Sequence, residues 1–345
     1  MRVEPDRSGA EADVQPILRV ENLVKHFHLS TGFIRRRRAV LKAVDHVSFE
    51  LYPGETLGVV GESGCGKSTL ARTLMRLEEP TSGSALFQGR DMFSLSRKEM
   101  RRLRQHIQII FQDPFASLDP RMTVGDIVAE PWIVHGFDLT PAERLRRVGE
   151  LLERVGLPSS DMVRYPHEFS GGQKQRIGIA RALTTDPKVV VCDEPVSALD
   201  VSVQAQVINL LQDLQQERGI AMLFIAHDLS VVRHIADRVV VMYLGRIVEI
   251  GDEVSLYERP SHPYTQALLS AIPVPDPDLD RAGRLVLEGE VPSPIEPPSG
   301  CSFRTRCWKA EAICAEVDPS LEPVDTPGHA SACHFAEHRQ PRVTS

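Results

Sequence analysis

The stretch GESGCGKST, Gly61 to Thr69, has the spacing G-x-x-x-x-G-K-[ST], and its residue types suit the binding of a phosphate chain. Gly61, Gly64 and Gly66 let the backbone curl so that successive N–H groups, with Ser63 and Cys65 between the glycines, face an anion. A helix starting here adds the partial positive charge of its N-terminus. Lys67 supplies a full charge to the β- and γ-phosphates, the Ser68 hydroxyl can ligate Mg²⁺, and Thr69 completes the motif. The Cys65 thiol reads as a small filler rather than a reactive group.

Two further stretches carry related chemistry. VVVCDEP, residues 189–195, is an apolar run that delivers two carboxylates at its end. Asp193 would hold Mg²⁺ through water and Glu194 would act as general base on an attacking water, while Cys192 reads as a buried small residue. FSGGQKQRIGIARAL, from Phe169, looks like a second anion-facing helix start. Ser170 can cap the helix, and Gly171 and Gly172 leave backbone N–H groups open.

Strands and helices in a fixed order must position these groups. TLGVV before Gly61 reads as a strand and TLARTLMR after it as a helix, the context the phosphate motif requires. Between Ile17 and about Gln112, short apolar runs such as ILRVENLV, VDHVSFEL and IQIIFQ are broken by turn residues and read as strands. Residues 113–168 change to helical character. There TPAERLRRVGELLERVG places Leu145, Val148, Leu152 and Val155 on one face. Past Ser170, helices alternate with the unbroken apolar runs KVVVCDEP and AMLFIAHD, which suit strands buried on both faces of a mostly parallel sheet. The helix between them sets Val203, Val207, Leu210 and Leu214 on one face and stops near Gly219. From residue 259 to 345 prolines accumulate and predict a small appended unit. Residues 1–16 predict a flexible N-terminal tail.

With 345 residues, 42% of them apolar, the chain can fill a substantial core. Its net charge of −7 offers no overall basic field, so no nucleic-acid partner is expected. No run approaches the length of a membrane span, and the polar N-terminus lacks the apolar run of a secretory signal.

Taken together, these motifs resemble those of ATP-binding-cassette (ABC) ATPases. FQDP, SALD and IAHD add the rest of that family's set in order. The resemblance implies an α/β fold: a RecA-like, mostly parallel sheet with an antiparallel β subdomain and a helical insertion at about 113–168, all within residues 17–258. It also implies a head-to-tail dimer, with each ATP between one chain's Gly61–Thr69 loop and its partner's Ser170, Gly171, Gly172 and Gln173. Gln112 would link Mg²⁺ and water to the helical subdomain, and Asp200 would serve in the loop after the base. His227 would contact the γ-phosphate, and Phe27 would stack on adenine. Glu194, His227 and Lys67 are thereby the expected catalytic residues, and Ser68, Gln112 and Asp193 the Mg²⁺ group.

Longer stretches narrow the branch. RYPHEFSGGQ, HPYTQALLSAIPVPDPD and EGEVPSPIEPPSGCSFRTRC look like the oligopeptide/dipeptide importer ATPases, most like the second ATPase subunit of the pair. That likeness implies a heterodimer with another ATPase, two membrane permease subunits and an extracytoplasmic solute-binding protein. The chain would sit peripherally on the cytoplasmic side of the inner membrane. Peptides are the expected solute, with nickel, glutathione or another small solute as alternatives and a soluble non-transport ABC ATPase as a further one. The basic run Arg35 to Arg38 reads as a solvated loop, the alternative being contact with anionic headgroups.

Cys301, Cys307, Cys314 and Cys333 have the spacing C-x5-C-x6-C-x18-C. Reducing cytosol makes disulfides an unfavourable reading, and the short pairs of structural zinc sites are absent. Four cysteines in a proline-bounded unit with little core suit an iron–sulfur cluster, with Zn²⁺ or free thiols as alternatives. Some members of the resembled branch bind a [4Fe–4S] cluster there, although Trp308 stands where many carry proline. His329 and His334 are expected bystanders.

Overall fold

Residues 14–31, 37–272, 285, 287, 289–324 and 326–338 are described by a computed structural model. The first thirteen residues of the expected tail, Arg35 and Arg36 of the basic run, and most of the proline-rich stretch after Ile272 lie outside the described residues.

Alternating apolar residues build the first sheet. β1 (Leu18–Thr31) and β2 (Arg37–Leu51) pair antiparallel, burying Leu18, Val20 and Leu23 from one and Val47, Phe49 and Leu51 from the other. β3 (Thr56–Val60), buried throughout, leads through the phosphate loop into α1 (Lys67–Leu74). β4 (Ser82–Phe87) returns to β1, and β5 (Arg90–Asp91) completes a four-stranded antiparallel sheet of order β2-β1-β4-β5. α2 (Arg97–Leu103) starts from a capping box between Ser96 and Glu99 and is followed by β6 (Ile107–Ile110).

The helical insertion comes next: α3 (Pro114–Ser117), α4 (Val124–His135) and α5 (Pro141–Arg154). Thr123 and Thr140 cap the last two, accepting from the N–H groups of Asp126 and Glu143. α4 continues through Pro131, a residue that argues locally against a helix, and ends at Gly136 with φ 73°. On α5, Val148, Leu152 and Val155 are buried as the periodicity predicts. Leu145 corrects it: 56% exposed, it lies a turn before the buried set, and Leu151 joins the core instead.

α6 (Gly171–Leu183) and β7 (Val189–Asp193) precede α7 (Val201–Arg218), which ends at Gly219 in the left-handed region. Val207 and Leu214 of α7 are buried, whereas Val203 and Leu210 are only partly covered and Leu211 takes a core position. β8 (Ala221–Ile225), α8 (Leu229–Ile235), β9 (Arg238–Tyr243), β10 (Arg246–Asp252) and α9 (Glu253–Glu258) follow. The C-terminal region contributes α10 (Pro263–Ser270), α11 (Ile313–Glu316), β11 (Glu322–Pro323) and β12 (Ala330–Ser331).

The second sheet has eight strands in the order β11-β12-β10-β9-β3-β8-β7-β6. From β9 to β6 all pairings are parallel. β3, β7 and β8 therefore end on one edge, which brings the phosphate loop, the two carboxylates and the segment after Ile225 together. Among the described residues no helix is long and apolar enough to cross a membrane.

The C-terminal region is built into this fold rather than tethered to it. β12 pairs with β10, and Phe303, Tyr264 and Leu269 share one hydrophobic core with the helical insertion. At the junction Glu249 of β10 is fully buried and accepts from the N–H and hydroxyl of Ser261, the N–H of His262 and His329 Nε2 at 2.8 Å. These bonds hold its carboxyl below the usual range despite burial.

His262 beside it is held at a pKa of about 4, chiefly by burial, and its Nδ1 accepts from the N–H of Tyr264. Since the unfolded chain protonates this imidazole near pH 6.5 and the folded one only near 4, its stability contribution is complete above 6.5. It declines as pH falls toward 4, by about 3 kcal/mol in all. Denaturant unfolding at pH 7.5, 5.5 and 4.5 should show that decline, and His262→Gln should flatten it; equal slopes in both proteins would contradict it.

Candidate active site

The phosphate loop owes its shape to contacts that only glycine allows. Gly66 has φ 109°, and a Cβ there would lie 1.9 Å from the carbonyl oxygen of Ala43. β2 thus presses directly on the loop. Lys67 is 3% exposed, and its Nζ donates to the carbonyls of Gly61 at 2.7 Å and Glu62 at 3.1 Å, holding the ammonium across the loop. The Cys65 thiol points inward, 3.8 Å from Lys67 Nζ, and burial pushes its pKa up. It is a neutral filler.

Beside the loop, Asp193 is 1% exposed and hydrogen-bonded to the Ser68 hydroxyl, and its Oδ1 is buried with no partner. Burial pushes its pKa up against the pull of Ser68, Arg72 and Lys67. A buried carboxylate oxygen facing a hydroxyl fits a hard cation such as Mg²⁺, for which Asp193 and Ser68 would be the oxygen donors.

Glu194 follows with φ 48°, a left-handed backbone that a glutamate rarely adopts and that turns its side chain off the strand end. Its Oε2 accepts from Gln112 Nε2 at 2.8 Å and lies 3.9 Å from His227 Nδ1. Glu194 and His227 also line a cavity of about 30 Å³ with Ser197 and Gln204, roomy enough for one water. The structure therefore gathers Lys67, Ser68, Gln112, Asp193, Glu194 and His227 from four separate segments.

The remaining sequence-derived residues sit differently. Ser170 is exposed and forms a capping box with Gln173 at the start of α6. A Cβ on Gly172 would meet Val203 Cγ1 at 2.4 Å, so this glycine lets α6 approach α7. Gly171 has ordinary contact with Leu199. The Asp200 carboxylate is engaged by its own helix, accepting from the Ser202 hydroxyl and the Val203 N–H, which together lower its pKa. Phe27 lies in β1 opposite Leu41, two residues along β2 from Ala43 and hence near the loop, with Lys25 Nζ 4.5 Å over its ring.

Among the described residues no disulfide joins the four C-terminal cysteines. Burial, the main cause, and the negative charge of neighbouring thiolates push Cys301 up to about 11 and raise Cys307 and Cys333 as well. Backbone N–H groups of Lys309 and Phe335 point at the sulfurs of Cys307 and Cys333. Among the described residues no group of three or more His, Cys, Asp or Glu side chains is placed to hold a metal ion. His329 is the buried partner of Glu249, and His334 Nε2 meets the Val317 carbonyl.

Sequence reasoning missed two features. One is the buried Glu249 junction. The other is a groove of about 690 Å³ along Ser117, Leu118, Met122, Ile127, Glu130 and Arg181. Arg181, near the end of α6, donates to the Ser117 carbonyl, so the groove wall is continuous with the helix that begins at Ser170.

Residues 44–197 match the family described as ABC transporter, and residues 248–314 match the oligopeptide/dipeptide transporter C-terminal region. The oligopeptide transport ATP-binding protein AppF of Bacillus subtilis is 54% identical over 326 residues, covering 94% of this chain and 98% of AppF. OppF of Salmonella typhimurium, also an oligopeptide transport ATP-binding protein, is 55% identical over 89% of this chain and 92% of its own. Among solved structures, the ATP-binding cassette MJ0796, a dimer bound to ADP and phosphate, superposes with a TM-score of 0.62 and 27% identity. It covers 68% of this chain and 98% of that one. CbiO1 of Clostridium perfringens, part of the cbiONQ ABC transporter complex, gives 0.59 and 30%, over 70% of this chain and 90% of its own. With the loop, the paired carboxylates and the capped α6 in place, the chain belongs to the ATP-binding subunits of ABC transporters, in the branch marked by the oligopeptide/dipeptide C-terminal region.

Proposed function

We propose that this chain hydrolyses ATP to drive the import of oligopeptides or dipeptides, as the second of two ATPases in the transporter. The observation that carries the reading is the strained Glu194, whose carboxylate meets Gln112 from the helical insertion and His227 from the end of β8. Lys67 and the loop N–H groups hold the phosphates. Ser68 and Asp193 would hold Mg²⁺, which neutralises charge on the phosphate oxygens when bound. Glu194 takes a proton from a water seated in the adjoining cavity as the water oxygen bonds to the γ-phosphorus. The bond from that phosphorus to its bridging oxygen breaks, leaving ADP and phosphate. His227, more than half exposed, is free to meet the γ-phosphate, and Phe27 provides the aromatic beside the adenine.

The exposed start of α6 supports a composite site: Ser170 through Gln173 and Asp200 would serve the nucleotide of a partner cassette. The groove along Ser117 and Arg181 is the proposed seat of a membrane permease subunit, since the Arg181 bond to the Ser117 carbonyl ties its wall to α6. An extracytoplasmic binding protein would deliver the solute, and the chain would sit on the cytoplasmic face of the inner membrane. Detergent extraction of the tagged chain tests this. Co-isolation with two permeases and a second ATPase is the expected result, and isolation only with ribosomes or DNA would overturn it.

For the cysteines, the proposed ligand is a [4Fe–4S] cluster. In support, Cys301, Cys307 and Cys333 each receive backbone N–H groups, as thiolate ligands of clusters do. Cys301, Cys307, Cys314 and Cys333 would hold the cluster, whose iron would offset the burial of their sulfurs. Anaerobic preparations should contain iron and absorb broadly near about 400 nm; a colourless, iron-free protein would remove the cluster.

A further inference from the structure

We infer that Arg306, in the loop between Cys301 and Cys307, is a positioning residue for the phosphate loop. Its guanidinium grips the Glu62 carboxylate at both oxygens, 2.7 Å and 3.1 Å, and the Arg306 side chain is only 6% exposed. Glu62 immediately follows Gly61, and every polar group it carries is tied. Its N–H donates to the Tyr264 hydroxyl at 2.9 Å, and its carbonyl accepts from Lys67 Nζ and from the Cys65 N–H.

Tyr264 and the Arg306 loop form one frame. Tyr264, Tyr243 and Phe303 pack ring against ring at 4.8 to 5.4 Å, and the Arg306 N–H donates to the Phe303 carbonyl. The C-terminal region thus fixes the residue whose carbonyl orients Lys67. It also neutralises a carboxylate that would otherwise repel the incoming phosphates. A point charge would supply the neutralisation but not the fixed orientation that the bidentate geometry gives.

This inference rests on the nucleotide-binding reading of Gly61–Thr69 and is independent of what the cysteines hold. The test is ATP affinity of the full chain, read with a fluorescent ATP analogue, together with KM and kcat. Arg306→Gln is expected to weaken binding and raise KM by about tenfold, with kcat changed less than about twofold. Arg306→Lys should fall in between, and Tyr264→Phe, which keeps the ring and removes only the acceptor for Glu62 N–H, should weaken binding by about threefold. Because both act through Glu62, combining Arg306→Gln with Tyr264→Phe should weaken binding less than the product of the two.

ATP affinity within about twofold of the parent in Arg306→Gln overturns the inference; should that variant not fold, Arg306→Lys and Tyr264→Phe decide on the same criterion. Lys67→Ala, run in parallel, separates the two failures. If it too binds ATP normally, the nucleotide reading of the loop has failed rather than the role of Arg306.

Discussion

Replacing Glu194 by Gln should lower steady-state ATP turnover by about 10²- to 10⁴-fold while ATP binding stays near the parent value. Gln keeps the size and one acceptor oxygen, so Gln112 Nε2 retains a partner and the strained turn at φ 48° retains its packing. What is lost is the basic oxygen that takes the proton from water. Lys67, Ser68 and Asp193, the proposed phosphate and Mg²⁺ contacts, are untouched, so binding and turnover are expected to separate. Phosphate release measured beside nucleotide binding checks this, and undiminished turnover would take the base role away from Glu194.

The largest effect on stability should come from Glu249→Ala, about 3–5 kcal/mol. Glu249 and His329 are both fully buried, and the carboxylate also receives the N–H and hydroxyl of Ser261 and the N–H of His262. Truncation leaves these donors without an acceptor where water cannot reach them. The junction joins β10, the start of α10 and the turn before β12, so its loss should detach the C-terminal region first. Denaturant unfolding should show a lower midpoint or a separate early transition, and an unchanged curve would contradict the account.

The candidate site residues could be picked out because their spacing is local in sequence. A phosphate loop, a strand ending in two carboxylates and a capped glycine pair each declare themselves within fifteen residues. The parallel sheet was legible for a similar reason, since β7 and β8 are unbroken apolar runs buried on both faces. Pro131 hid the continuity of α4, because a helix that tolerates proline does so through packing that a local reading does not contain. Leu145 followed the helical period yet faces solvent, since periodicity says nothing about where the covering neighbours stop.

Long-range polar pairs were not legible at all. His329 stood out only as a neighbour of cysteines, while its partner Glu249 lies 80 residues away. Arg306 and Glu62 are 244 residues apart, and nothing in either local stretch points to the other. The acid at the second position of the phosphate loop was the available signal, a charge with no evident role in binding an anion. HPY, residues 262–264, was the other: a histidine and a tyrosine that the fold turns toward Glu249 and the loop.

Hydrolysis at this site is proposed to power solute import. Uptake of a labelled oligopeptide by cells whose own copy is replaced with the parent chain or with Glu194→Gln tests it most directly. Uptake is expected with the first and none above background with the second, at equal protein levels in the membrane. Undiminished peptide uptake by the Glu194→Gln cells would contradict it.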